Sequence, residues 1–174
     1  SRPRRLASPA LVRRVEQLEA ASHAGGDVSA APALAAELEA SGDEELIADV
    51  WWVIAQNTGV DSVEKQRAAT RKAAEAATAI GRHEQAALAW ARAAVTAAIV
   101  GDDRAVDDLL AMATAAGKLS GSAEVAQRLE IARASIDVEH REFERAAATA
   151  RRVIAATEGQ PLREARSDAF DILG

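Results

Sequence analysis

The fold is decided by two consecutive stretches, RHEQAALAWARAAVTAAIVGDDRAVDDLLAMATAAGKLSG (82–121) and SAEVAQRLEIARASIDVEHREFERAAATARRVIAATEG (122–159). Aligned at a constant offset of 41, they share apolar and Ala-Arg positions. The matched residues are Leu88 with Leu129, Ala91-Arg92 with Ala132-Arg133, Val95 with Ile136, and Arg104-Ala105 with Arg145-Ala146. The preceding stretch, 43–81, is of similar length, so the units have 39, 40 and 38 residues. Self-similarity at a fixed period predicts a repeat architecture.

Each unit contains two helical segments separated by glycine. Glycine commonly ends a helix in a left-handed conformation, and Ser, Asp or Pro starts the next one. The glycines between apolar segments are Gly25-Gly26, Gly42, Gly59, Gly81, Gly101, Gly117, Gly121 and Gly159. They predict nine helices: 9–24 with Ser8 as N-cap, 30–40 with Ser29 as N-cap, 44–57, 63–80 after Ser62, 83–100, 103–116, 123–139, 142–157, and one from near Pro161 to the end.

Helix pairs repeating about every 40 residues predict an all-α fold, an α-solenoid with a right-handed superhelix. Alanine makes up 45 of the 174 residues, and small side chains allow close approach of helix axes. We expect a flexible basic tail (1–8) and one repeat domain (9–174). Its units would be 9–42, 43–81, 82–121, 122–159 and a half unit, 160–174. The alternative is an ordinary up-down helical bundle with accidental spacing.

Composition excludes several classes of function. There is no cysteine, which removes disulfides, thiolate metal sites and cysteine nucleophiles. The net charge of −6 argues against nucleic acid as a partner. No apolar run approaches the roughly 20 residues of a membrane span, so no membrane insertion by this segment is expected. The apolar pattern that begins near Phe170 suggests a piece of a larger protein.

The turns within the units resemble those of tetratricopeptide-type repeats. The resemblance is carried by 101–105 (GDDRA), 140–146 (HREFERA) and 26–31 (GDVSAA), which are similar to the family's turn, Gly-x-aromatic-x-x-Ala. The units are longer than the family's, no Tyr occupies the usual position in the first helix, and Pro does not close them. The resemblance implies that the third, fifth, seventh and ninth helices line a concave face that binds a peptide.

A narrower resemblance concerns 10–20 (ALVRRVEQLEA), 26–38 and 46–52 (LIADVWW). These stretches resemble the Ala/Arg-rich repeat region that follows the catalytic domain in bacterial serine/threonine kinases of the myxobacterial type. The resemblance implies that the parent is a multidomain signalling kinase and that this segment is its sensor or interaction region. We expect a cytoplasmic location, with an extracytoplasmic one as the alternative if a membrane span precedes the segment in the parent.

No motif in the chain supports catalysis, a cofactor or a metal. His23, His83 and His140 are isolated, and their spacing gives no helical ligand pair. Asp102-Asp103 precede and start a helix, where acids complement the helix dipole. Nucleophile-elbow, phosphate-loop and kinase signatures are absent from the sequence. We therefore expect no enzymatic activity from this segment.

Trp51-Trp52 is the most informative pair for binding. Adjacent helical residues point about 100° apart, so if one fills the core the other lies near a groove or seam. Trp90 lies in the corresponding helix of the next unit, and packing for all three tryptophans is the alternative. Predicted partner-binding residues are the positions of the concave helices outside their apolar stripes: Asp49, Trp52, Gln56, Arg92, Thr96, Arg133 and Asp137.

The sequence thus predicts a non-catalytic module that binds a protein or peptide segment, including the parent's own catalytic domain as a candidate. Two alternatives stay open. One is a ligand-responsive regulatory arm of a kinase or an ATP-dependent transcriptional regulator, and the other is a structural oligomerisation module. A ligand pocket would be a deep cavity with convergent Arg or Asp, whereas a peptide site would be an open strip.

Overall fold

The computed structural model describes residues 8–57, 62–158 and 164–173. Within these ranges the chain forms nine α-helices and no β-strand, which confirms the predicted all-α class. The helices are α1 (Pro9–His23), α2 (Ala31–Ser41), α3 (Glu44–Asn57), α4 (Val63–Ala79), α5 (His83–Ile99), α6 (Asp103–Ser120), α7 (Ala123–Glu139), α8 (Phe143–Ala156) and α9 (Glu164–Leu173).

Most helix ends follow from the turn residues of the sequence. Gly81 and Gly101 follow α4 and α5 with φ of 73°, the left-handed conformation that glycine adopts without strain. In the next unit Arg141 takes this position with φ of 63°, which is uncommon for a residue with a side chain. The predicted breaks at Gly59 and Gly159, the start near Pro161 and the tail 1–7 lie outside the described residues.

The predicted N-caps are only partly right. Ser8 accepts a hydrogen bond from the Leu11 amide at 3.3 Å, as expected for the cap of α1. Ser29 does not cap α2, because its amide and its hydroxyl both donate to the Asp27 carboxylate, at 2.8 and 3.1 Å. Ala30 occupies the cap position without a side-chain bond. Ser62 precedes α4 but likewise makes no side-chain capping bond.

The predicted end of α6 at residue 116 is wrong, since the helix continues through Gly117 to Ser120. Gly117 is a packing residue: a Cβ at this position would lie 2.7 Å from Cδ1 of Leu129 on α7. Such a distance is far below normal contact, so the glycine permits α6 and α7 to approach each other at this point.

Alanine dominates the central core. In α5, ten of the 17 residues are buried, and all of these except Trp90 and Thr96 are alanines. This helix packs against α4, α6 and α7, which leaves room only for small side chains on most of its surface. The N-terminal core between α1, α2 and α3 instead contains larger residues such as Val15, Leu34 and Leu38.

The two central units correspond at an offset of 40 residues, one less than the offset that aligns the sequences. Helices α5 and α7 begin at His83 and Ala123, and α6 and α8 begin at Asp103 and Phe143. Five of the six buried residues of α7 also correspond to buried residues of α5 in this register, as Leu129 does to Ala89. The 41-residue match is therefore out by one position, because the alanine-rich sequence offers several similar alignments.

Successive helices pack against each other along the chain. In addition, α1 packs on α3, α5 on α7, and α7 on α9, whereas no two even-numbered helices make contacts of comparable extent among the described residues. Helices α3 and α5 are joined chiefly through α4, which contacts both extensively. Trp51 and Trp52 of α3 pack against the alanine-rich core cluster, to which α4 and α5 contribute most of the residues.

Candidate functional site

A groove of about 330 Å³ opens on the odd-numbered helices. Its walls come from α3, α5, α7 and α9, with one residue, Gln66, from α4. Four of the predicted partner-binding residues line it together: Trp52, Gln56, Arg92 and Thr96. The structure thus places these four at one surface, while their role in binding stays a prediction.

The groove combines apolar and polar walls. Leu88 and Val95 of α5 and Ile131 of α7 supply aliphatic surface. Half-buried Trp52 forms one end of this surface. The hydroxyl of Thr96 donates to the Arg92 carbonyl oxygen at 2.9 Å, and Thr96 is only 2% exposed, so this side chain mainly shapes the wall.

Three charged side chains line the groove: Arg92 of α5, Arg128 of α7 and Asp168 of α9. Burial lowers the pKa of Arg92, and the nearby positive charge of Arg128 lowers it further. Among the described groups, no carboxylate acts on this pKa in the opposite direction. The buried Nε atom of Arg92 also has no hydrogen-bond partner among the described residues. A half-buried guanidinium that lines a groove and has no ion pair among the described residues can bind an anionic ligand.

A second concavity, of about 490 Å³, lies on the other side of Trp52. It is lined by the N-terminal turn of α5, including His83 and Gln85, and by Arg82 before it. Trp52 and Leu88 line both concavities. The pair therefore forms a ridge with a depression on each side.

The three remaining predicted residues lie outside the groove, in ion pairs within the chain. Asp49 accepts hydrogen bonds from Arg82, and this contact raises the pKa of Arg82. Asp137 is buried and accepts a hydrogen bond from Arg145 across the turn between α7 and α8. These contacts give both carboxylates a structural role.

Arg133 has a comparable structural role at a third concavity, between α6 and α7. It donates to Glu130 at 2.6 Å and to the Thr114 hydroxyl at 2.9 Å. Its charge is thus balanced within the chain, unlike that of Arg92.

Sequence reasoning missed four polar residues of the groove: Gln66, Arg128, Ser135 and Asp168. At an offset of 40, Arg128 and Ser135 of α7 correspond to Leu88 and Val95 of α5, which also line the groove, so the correct register would have pointed to both. Gln66 lies on an even-numbered helix and Asp168 on the last helix, so the repeat pattern gave no signal for either.

Trp51 and Trp52 have different surroundings, but both are half-buried, so neither fills the core. Trp51 donates from Nε1 to Glu39 at 3.1 Å and lies beneath Lys72, 4.2 Å from the ring centroid. Trp52 borders the two concavities. Trp90 is a core residue, 7% exposed, and donates to the Thr78 hydroxyl at 3.1 Å.

The acidic and imidazole side chains form no cluster of metal ligands within 8–57, 62–158 and 164–173. Asp102 caps α6 and pairs with Arg67. The His140 ring contacts Asp103 at 3.1 Å, and His23 contacts the Glu19 carbonyl at 2.8 Å. His83 lines the second concavity.

Across the described part of the chain, none of the helices combines the length and the apolar character that a bilayer crossing requires. No family model, no curated protein and no solved structure matches this chain.

Proposed function

We propose that the chain is a non-catalytic helical repeat module, a right-handed α-solenoid of the tetratricopeptide type, that binds a peptide segment of a partner protein. The groove bounded by Trp52 and Arg92 is the observation that carries this proposal. The packing of α5 on α7 and of α7 on α9, with corresponding residues 40 apart in the central units, supports a stack of helix pairs.

The groove suits an extended peptide better than a compact ligand. It crosses several helices, and Trp52 and Leu88 connect it to the second concavity at the start of α5. Tryptophan and arginine are the residue types that dominate binding energy in protein interfaces. Trp52 would contact an apolar side chain of the peptide, and the depressions beside it would receive the neighbouring residues.

The parent protein belongs to the same proposal. A bacterial serine/threonine kinase with this segment as its interaction region would present the groove to a substrate, a regulator or its own catalytic domain. The only basis for this part is the resemblance in stretches 10–20, 26–38 and 46–52.

A second candidate function is binding of a small molecule by a regulatory arm. The volume of about 330 Å³ lies at the lower end of the range for small-molecule sites, about 300–1,000 Å³. A small molecule would occupy the groove alone, whereas a peptide would extend over the ridge into the second concavity. If His83, which lines the second concavity, becomes buried by the ligand in the complex, the ligand is a peptide and not a small molecule.

Selection from a random peptide library displayed on phage tests the proposal. Peptides enriched on the wild-type chain should lose at least about tenfold in affinity for Trp52→Ala, as expected for an aromatic anchor. Phe143→Ala is the matched control, because Phe143 is an aromatic residue of α8 that is 60% exposed and lies outside the groove. Failure to enrich any peptide, or equal binding to both variants, would contradict the proposal.

A further inference from the structure

Arg92 differs from the other half-buried arginines that have ion pairs in this chain. Arg67 pairs with Asp102, Arg82 with Asp49, and Arg133 with Glu130. Arg92 has no such carboxylate among the described residues, and its Nε lacks any partner there. A charge removed from water without a partner costs free energy, so its retention at a groove suggests a use in binding.

The surroundings of Arg92 determine what it can bind. Arg128 approaches from α7, and its positive charge acts on Arg92 whatever contacts Arg128 itself makes. The guanidinium group donates hydrogen bonds in a planar fork that matches two oxygens of a carboxylate or a phosphate. The neighbouring Thr96 hydroxyl is already bonded to the Arg92 carbonyl oxygen, so the guanidinium is the principal donor on this wall.

We propose that Arg92, reinforced by the charge of Arg128, binds an oxyanion carried by the peptide, either a carboxylate or a phosphate group. This inference rests on the proposed peptide-binding function and specifies its ligand as an acidic or phosphorylated peptide. The chain as a whole carries a charge of −6, and the groove holds Asp168 beside the two arginines. Its excess positive charge is therefore confined to the side formed by α5 and α7, where it would orient an anionic group.

The first test measures the Arg92 side chain without any peptide. The Nε–Hε resonance in a proton–nitrogen correlation spectrum is followed while inorganic phosphate or acetate is added. A saturable shift at Arg92, larger than that at Arg133, is expected because Arg133 already bonds to Glu130 and Thr114. Sodium chloride at matched ionic strength is the control. A shift no larger than with chloride overturns the oxyanion site.

The second test uses the tightest peptide from the phage selection, measured by calorimetry. Replacing its acidic residue by the corresponding amide should weaken binding to the wild-type chain about 10- to 100-fold, the range for a charge-assisted hydrogen bond. The same replacement should have little effect on Arg92→Gln. Arg92→Lys should be intermediate, because it keeps the charge but loses the fork. A phosphoserine analogue distinguishes phosphate from carboxylate.

The two proposals fail in different ways. Peptides that bind at Trp52 but contain no acidic or phosphorylated residue would overturn the oxyanion site and leave peptide binding intact. No enriched peptide, together with a saturable phosphate shift at Arg92, would overturn peptide binding and retain the anion site. Arg133→Gln is the matched control, and an equal loss of peptide affinity in this variant would overturn the assignment to Arg92.

Discussion

Helices α5 and α7 occupy corresponding positions in two successive units, but they are built from different side chains. Buried Leu129, Ile131 and Ile136 of α7 correspond to Ala89, Ala91 and Thr96 of α5 at the 40-residue offset. Because α5 packs against α4, α6 and α7, small residues fit best along most of its surface. The helix boundaries therefore repeat every 40 residues, whereas the side chains differ because each helix packs against different neighbours.

The arginines of the two helices show the same contrast in charge. Arg133 of α7 is balanced by Glu130 and bonded to Thr114. Arg92 of α5 lies in the groove without a carboxylate partner among the described residues. Sequence similarity between the units, which pairs Arg92 with Arg133, therefore does not identify equivalent sites. The local ion pairing separates a scaffold residue from a candidate binding residue.

The largest expected effect is on the apolar packing of α7. Leu129→Ala should lower the free energy of unfolding by about 2–5 kcal/mol, because it leaves a cavity in a closely packed core. Leu119→Ala is the matched control, since Leu119 is 68% exposed, and should change it by less than about 0.5 kcal/mol. Chemical denaturation measures both. Similar losses of unfolding free energy in the two variants would show that Leu129 of α7 does not pack into the alanine-rich core.

A smaller effect is expected where α6 meets α7. Alanine is normally a better helix former than glycine by about 1 kcal/mol. Gly117→Ala should gain less than this and change the free energy of unfolding by less than about 1 kcal/mol, because Cδ1 at the flexible end of Leu129 must move away from the added methyl group.

The same substitution in the Leu129→Ala background sharpens the test. The methyl group then has space, so Gly117→Ala should be neutral or stabilising, and the two substitutions should not be additive. A double-mutant cycle by chemical denaturation measures this coupling. Additive effects would mean that Gly117 and Leu129 are not in contact.

The smallest expected effects are on the free energy of unfolding of Arg92 and Arg133 variants, and they have opposite signs. Arg92→Gln should raise the free energy of unfolding by about 0.5 kcal/mol, because it removes a half-buried charge that Arg128 repels. Arg133→Gln should lower it by about 0.5 kcal/mol, the order expected for a half-exposed ion pair. Thermal denaturation at neutral pH checks both. A loss of stability in Arg92→Gln would indicate that Arg92 is a structural residue.

The sequence predicted the helices well, because their ends depend on local chemistry. Left-handed glycines such as Gly42 and Gly81 and the cap at Ser8 could be recognised from residue types alone. Gly117 could not, since a glycine that ends a helix and one that allows two helices to approach look alike in sequence.

The candidate site was predicted only in part for a related reason. Helical periodicity places Trp52, Gln56 and Arg92 on one side of the odd-numbered helices, and the structure brings them together. Periodicity does not specify which charges are neutralised. Asp49 is paired by Arg82, 33 residues along the chain, and Asp137 is paired by Arg145 across the turn between α7 and α8. Helical periodicity specifies neither contact.

A crystal structure of the chain bound to the tightest selected peptide would show directly what the groove binds. We expect an extended peptide across α3, α5 and α7, with an apolar residue against Trp52 and a carboxylate or phosphate within about 3 Å of the Arg92 guanidinium. A peptide bound to another surface, or one in the groove whose anionic group points into solvent away from Arg92, would contradict this expectation.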